Sequence, residues 1–197
     1  MDRLRVLKCP QVSSSVLKCP QSSSDVLRRP RAFWSVFPVR LMRAVIQRCS
    51  RASVRVDGEV VGALQDRGGL AVLLGVEVGD TVAEAVRVAE KLAKLRIFED
   101  SAGKMNLSVS DVGGSVLLIS QFTLAGDCSG GNRPSFVRAA RPEVAEPLVA
   151  HVVDQLRERG LHVETGRFRT EMKVELLNDG PVTIVLDVLP NATTPSI

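Results

Sequence analysis

The chain has 197 residues, of which 45% are hydrophobic, 24% charged and 4% aromatic, a composition that suits one globular domain and excludes collagen-like, mucin-like and wholly disordered chains. Lys, Arg, Asp, Glu, Gly or Pro interrupts every apolar run before the roughly 18 to 20 residues that cross a bilayer, so no membrane span is predicted. The net charge of +4 points toward nucleic acid, yet residues 1–41 hold eight Lys and Arg against two acids, while the rest of the chain holds 18 basic and 20 acidic groups.

Those first 41 residues carry a decapeptide repeat. Val6-Leu-Lys-Cys-Pro-Gln recurs at Val16, an altered copy, Val26-Leu-Arg-Arg-Pro-Arg, follows, and serine runs lie between them. Recurrent prolines and the lack of any helical or strand period predict a disordered, low-complexity extension. It reads as a dispensable stretch ahead of a natural start at Met42, as a targeting segment whose amphipathic helix the prolines oppose, or as a basic accessory tail.

From Met42 regular patterns begin. Residues 43–49 and 52–56 read as strands, and the alternation on either side of Asp57-Gly58 predicts a β-hairpin with the strand 59–64. The run Gly69-Leu-Ala-Val-Leu-Leu-Gly-Val does not alternate, as expected of a central strand buried on both faces. Thr81 with Glu84 forms a capping-box signature, and Val82, Ala85, Val86, Ala89, Leu92 and Leu95 recur at helical spacing toward Ile97. After a polar turn over 99–104, residues 115–124 read as an apolar strand that turns polar at its end. A glycine-containing loop spans 125–134, Pro142 opens a second helix over about 143–159 that stops at Gly160, and strands are predicted at 162–167, 173–177 and 182–188. The expected fold is α/β or α+β: a single domain over 42–188, mostly β-sheet with two helices, followed by a frayed tail at 189–197.

Signatures of phosphate-binding loops, dinucleotide folds, serine-hydrolase elbows and zincins are absent. Cys9, Cys19, Cys49 and Cys128 have no C-x-x-C spacing and no nearby His, so neither structural zinc nor a disulfide framework is expected; reduced thiols suit a cytoplasmic setting. His151 and His162 stand apart from any candidate partner. Two stretches remain. Ser120-Gln121-Phe122-Thr123 is either a structural strand end or a ligand site, and Asn178-Asp179-Gly180-Pro181-Val182-Thr183 has the residue types of a plain hairpin turn.

Met42-Arg-Ala-Val-Ile-Gln-Arg, Leu95-Arg-Ile-Phe-Glu-Asp, Lys104-Met-Asn, Ser120-Gln-Phe-Thr-Leu, Asn132-Arg-Pro-Ser-Phe, Glu164-Thr-Gly-Arg-Phe and Asn178-Asp-Gly-Pro-Val-Thr, in that order over residues 42–188, together resemble the D-aminoacyl-tRNA deacylase family. The resemblance implies a deacylase-like fold and a cytoplasmic homodimer. It implies a proofreading hydrolase that cleaves the ester of D-aminoacyl-tRNA, and of glycyl-tRNA mischarged on tRNA(Ala), with no cofactor, metal, membrane or DNA partner. Ser120, Gln121, Phe122 and Thr123 would line the pocket and position the ester, while the substrate's own 2′-hydroxyl takes part in the chemistry. Gly180 and Pro181, joined by a cis bond, would enter the partner subunit's pocket and exclude L side chains with backbone carbonyls. Asn178 and Arg133 would join the substrate-binding set. The family's basic loop is replaced here by the uncharged or acidic Asp127-Cys-Ser-Gly-Gly, which leaves Arg133 and Arg138 for phosphate contacts. Two other classes share some of these features: an editing domain acting on L-seryl-tRNA, and a non-catalytic module that binds a tRNA end or a protein.

Overall fold

The computed structural model describes residues 3–6 and 42–189. Nine strands and two helices follow one another as β1 (Arg3–Val6), β2 (Met42–Val56), β3 (Glu59–Ala63), β4 (Gly69–Gly75), α1 (Val82–Lys94), β5 (Phe98–Glu99), β6 (Met105–Leu107), β7 (Ser115–Ser120), α2 (Pro142–Glu158), β8 (His162–Thr165) and β9 (Lys173–Val188). A seven-stranded sheet runs in the order β1-β9-β2-β4-β7-β8, with β3 paired to β2 off that path; β5 and β6 make a separate small ribbon. The mixed α/β class, the two helices and the mostly β content match the sequence expectation. The 7–41 repeat segment and the tail from 190 lie outside the described residues.

Arg3–Val6 departs from the expected disorder. It pairs antiparallel with β9, from Arg3 opposite Asp187 to Val6 opposite Ile184. The outer edge of β9 presents unpaired backbone donors and acceptors, which any extended segment can satisfy.

The capping box forms as its spacing predicts: the Thr81 hydroxyl accepts from the Ala83 amide, and Glu84 accepts from the Thr81 amide at 2.9 Å. The Asp57-Gly58 hairpin also forms, with both residues at positive φ, 52° and 87°, as a two-residue primed turn requires. Strand β4 lies between β2 and β7, antiparallel to the first and parallel to the second. At its start Gly69 has φ 153°, and a Cβ there would lie 1.8 Å from the Ser115 carbonyl oxygen, so no larger residue lets β4 and β7 approach this closely.

The strands split their side chains between two cores. Leu70, Val72, Leu74, Val116 and Leu118 face α1 and α2, meeting Val88, Leu92, Val152 and Leu156 in the main cluster. The alternate positions Ala71, Leu117 and Ile119 meet Cys49, Ala52 and Val54 on the opposite face. One strand supplies both because β2 is continuous over 15 residues, where two shorter strands were expected, and its pairing with β9 is irregular at Gln47/Cys49 and Cys49/Arg51. Bulges of this kind bend a strand and increase its twist, so the first half of β2 lies under the helices and the second half closes over the other face. β9 is likewise one strand where 173–177 and 182–188 were expected as two.

Leu118 is 1% exposed in the main core, so Leu118→Ala is expected to lower unfolding free energy by about 2 to 5 kcal/mol, against about 1 kcal/mol for loss of the cap in Thr81→Ala. Urea titration of both variants checks this; equal, small effects would contradict the assignment of the core.

Candidate active site

Strand β7 ends sooner than its apolar run suggests. Ser120 is the last strand residue, and Phe122–Ala125 forms one 3-10 turn rather than the predicted continuation. The turn is tied back to the neighbouring strand, since the Gln121 amide donates to the Leu74 carbonyl at 2.7 Å. The Gln121 side-chain amide donates to the Thr123 hydroxyl oxygen, which leaves the threonine proton available to a third group.

This end of β7 opens onto a cavity of about 540 Å³. It lies beyond the carboxyl ends of the parallel strands β4 and β7, the usual place for a site in such a sheet. Ser120, Gln121 and Phe122 form one wall, Ala139, Ala140 and Pro142 another, and Phe168, Arg169, Thr170 and Met172 a third. Among the described residues the lining contains no His, Cys, Asp, Glu or Lys, and Arg169 is its single ionisable side chain. Thr123 is exposed beside the cavity and reaches it through Gln121.

The second wall is pinned to the end of β4. The Ala140 amide donates to the Val76 carbonyl at 3.0 Å, the Val78 amide to the Arg138 carbonyl at 2.8 Å, and the Arg138 guanidinium lies 3.2 Å from the buried Glu77 carboxylate. Phe122 and Phe136 meet edge to face, with centroids 5.2 Å apart, at the exposed rim. The loop between them is closed by a bridge between Asp127 and Ser135, and the Ser129 amide holds the Asp127 carboxyl below its ordinary range. Arg133 sits exposed in this loop and does not line the cavity, and Arg138 is engaged with Glu77.

The Gly180-Pro181 bond is cis. Both residues are exposed on β9 and neither lines the cavity of its own chain. Asn178 shapes this turn with both ends of its amide, accepting from the Val182 backbone at 2.8 Å and donating to the Thr183 hydroxyl at 3.0 Å. Beneath it lies Arg48, which the sequence reading did not single out. Its side chain is 6% exposed; it donates to the Asp179 carbonyl at 3.1 Å and the Ile97 carbonyl at 2.7 Å, and its Nε lies 3.2 Å from the Asp179 carboxylate. A Cβ on Gly180, whose φ is 124°, would stand 2.7 Å from Val182 and 3.0 Å from the Arg48 guanidinium, so the turn admits only glycine there. Cys49, next in the chain, is buried, and desolvation pushes its thiol up. The histidines stay apart from the cavity, His162 lying 3.0 Å from Glu164. Among the described residues no group of three or more His, Cys, Asp or Glu could hold a metal ion.

The family described as D-Tyr-tRNA(Tyr) deacylase matches residues 45–187, which takes in both the strand end at Ser120 and the turn at Gly180. The chain belongs to that family. It is 62% identical over 146 residues to the D-aminoacyl-tRNA deacylase of Anaeromyxobacter dehalogenans (strain 2CP-C), covering 74% of this chain and 97% of that one. It is 60% identical over 147 residues to the D-aminoacyl-tRNA deacylase of Symbiobacterium thermophilum, covering 75% and 96%. Among solved structures it resembles the c-Myc DNA unwinding element binding protein, with TM-score 0.69 and 41% identity over 75% of this chain and 99% of that one. A probable eukaryotic D-amino acid tRNA deacylase shares the fold, with TM-score 0.65 at 17% identity over 75% of this chain and all of that one. Membership of this deacylase family makes the chain a hydrolase.

Arg48→Ala leaves two backbone carbonyls without their donor and is expected to cost about 2 kcal/mol of stability. Hydrogen exchange at the Val182 amide should accelerate in Arg48→Ala more than in Thr81→Ala. Unchanged protection of that amide would show that Arg48 does not hold the turn.

Proposed function

We propose that this chain hydrolyses the ester joining a D-amino acid to the terminal adenosine of tRNA, together with the glycyl ester on tRNA(Ala), and leaves L-aminoacyl-tRNA intact. The observation that carries this reading is the cavity itself, which is mainly apolar, ends in Ser120, Gln121 and Phe122, and lacks every side chain that ordinarily serves as a general base among the described residues. A threonine nucleophile needs a base within hydrogen-bonding reach, so Thr123 positions rather than attacks. Water adds to the ester carbonyl, the bond to the 3′ oxygen breaks, and the proton lost by water reaches that oxygen through the neighbouring 2′-hydroxyl of the substrate. Gln121, Thr123, Ser120 and Phe122 hold the ester in line for this transfer.

Chirality is read by backbone. The Gly180-Pro181 turn, exposed on its own subunit and fixed by Arg48 and Asn178, enters the cavity of a partner in a homodimer, where its carbonyls occupy the space an L side chain would need. Half-exposed Val174, Leu176 and Leu177, on the same strand just before the turn, support an interface there. A side-chain gate would select by size or polarity; clash at Cα rejects one hand and accepts many D residues and glycine. The substrate-binding role of Asn178 is indirect, through the shape of the turn, and Arg133 lies where an exposed loop can meet the acceptor end. In this reading the chain works in the cytoplasm as a homodimer, with tRNA as its partner and no cofactor.

Single-turnover hydrolysis of D-tyrosyl-tRNA tests the chemistry. Thr123→Ala should lose one positioning contact, about 1.4 to 3 kcal/mol or roughly tenfold to 160-fold in rate, whereas the unaltered chain should fail on tRNA ending in 2′-deoxyadenosine. An inactive but folded Thr123→Ala chain with normal turnover of the 2′-deoxy substrate would restore threonine as nucleophile. The shared site has its own test, because dilution to a species that sediments as a monomer should abolish activity; a fully active monomer would eliminate the cross-subunit turn.

A further inference from the structure

Resting on the reading that the substrate is an aminoacylated tRNA, we propose that Arg169 binds a phosphodiester of the acceptor end and so seats the 3′ terminus over the cavity. Among the described residues, Arg169 is the single ionisable side chain in a lining otherwise made of apolar and neutral polar residues. Its guanidinium is exposed and has no hydrogen bond or ion pair with any described residue. A cation in the lining of an apolar cavity, without a partner among the described residues, is placed for an anion that arrives from outside.

The backbone supports the same conclusion. Arg169 has φ 60°, a left-handed conformation uncommon for a residue with a long side chain. Its neighbours hold it there: Phe168 packs against the main core, Met172 against the second cluster, and the Thr170 hydroxyl donates to the Arg167 carbonyl at 2.9 Å, closing a turn around Arg169. A non-glycine residue kept at such a position by its surroundings points to a use for its side chain. Glu171, the nearest acid in the chain, lines a separate hollow with Arg55 and Lys173 and does not neutralise the mouth.

Substrate chemistry names the anion. With the amino acid in the cavity and the ester beside Gln121 and Thr123, the next charged group is the phosphodiester on the 5′ side of the terminal adenosine. A guanidinium fork matches two phosphate oxygens, and such contacts position a nucleic acid without reading its sequence. On the other wall the segment Asp127-Cys-Ser-Gly-Gly carries no cation, Arg133 beyond it does not line the cavity and Arg138 is engaged with Glu77, which leaves the phosphate nearest the cavity to Arg169.

The test compares the unaltered chain with Arg169→Ala and Arg169→Gly on D-tyrosyl-tRNA across a salt series, and on D-tyrosyl-adenosine, which has no phosphate. Arg169→Gly suits the positive φ, so its urea midpoint should not fall and loss of fold cannot imitate loss of binding. Both variants should raise KM for the tRNA about tenfold with little change in kcat, and lower the slope of log KM against log salt by about 0.7, the effect of one phosphate contact to a single strand. Their loss on D-tyrosyl-adenosine should be much smaller, and Arg159→Ala, which removes the same charge at the end of α2, should leave the slope in place. An unchanged slope, or an equal loss on the phosphate-free ester, would overturn the phosphate contact while the deacylase reading stands. Failure of the unaltered chain to hydrolyse D-tyrosyl-tRNA at all would overturn that reading and this one with it.

Discussion

A buried guanidinium at the bend of one strand organises this molecule. Arg48 lies in β2 where the pairing with β9 becomes irregular, and a charge so enclosed is tolerable only when its donors are met. The carbonyls that meet them belong to Ile97, just after α1, and to Asp179, just before the Gly180-Pro181 turn. One side chain therefore joins the helical layer, the bent strand and the exposed turn. The bend divides β2 between two cores, and the closing of its second half over the sheet leaves Val174 and Met172 at the wall of the cavity.

The cavity and the turn make complementary demands. The cavity offers apolar volume, a few neutral hydrogen-bonding groups and Arg169, which favours acceptance of many side chains, and among the described residues its lining holds no His, Cys, Asp, Glu or Lys to accept a proton. In the proposed reading, selectivity comes from rigid backbone and catalysis from the substrate. Rigidity is visible in the turn, where Asn178 uses both ends of its amide internally and Gly180 has no room for a Cβ. An Asp or Glu in the lining would provide a base but would be desolvated there and shifted toward its neutral form.

Local rules made some of this legible in the sequence. Thr81 and Glu84 announce the start of α1, Asp57-Gly58 announces a hairpin, and the unbroken apolar run of β4 announces a strand buried on both faces; each depends on residues close in sequence. The continuity of β2 and β9 was not legible, because the polar residues around Ser50 and Asn178 read as breaks, and only pairing between distant strands carries the chain through them. Phe122-Thr-Leu reads as strand by propensity, yet the bond from the Gln121 amide to Leu74 marks where the chain leaves the sheet for a 3-10 turn. The pairing of Arg3–Val6 was hidden for the same reason, since its partners, Ile184 to Asp187, lie at the far end of the chain. In the candidate site, residue type drew notice to Ser120–Thr123 and to the Asn178–Thr183 turn but left a plain strand end and a plain hairpin open, and only the resemblance attached a function to Ser120, Gln121, Phe122, Thr123, Gly180 and Pro181. Arg48 entered only as the last residue of the Met42-Arg-Ala-Val-Ile-Gln-Arg motif, with no role attached, and Arg169 gave no signal, one arginine being buried and the other held at positive φ for reasons that exist only after folding.

The central claim is that a backbone gate over an apolar cavity distinguishes the two hands of one amino acid. Parallel single-turnover rates for D-tyrosyl-, L-tyrosyl- and glycyl-tRNA test it most directly. The account predicts rapid hydrolysis of the D and glycyl esters and almost none of the L ester. Comparable hydrolysis of the D and L esters, or preference for the L ester, would contradict it.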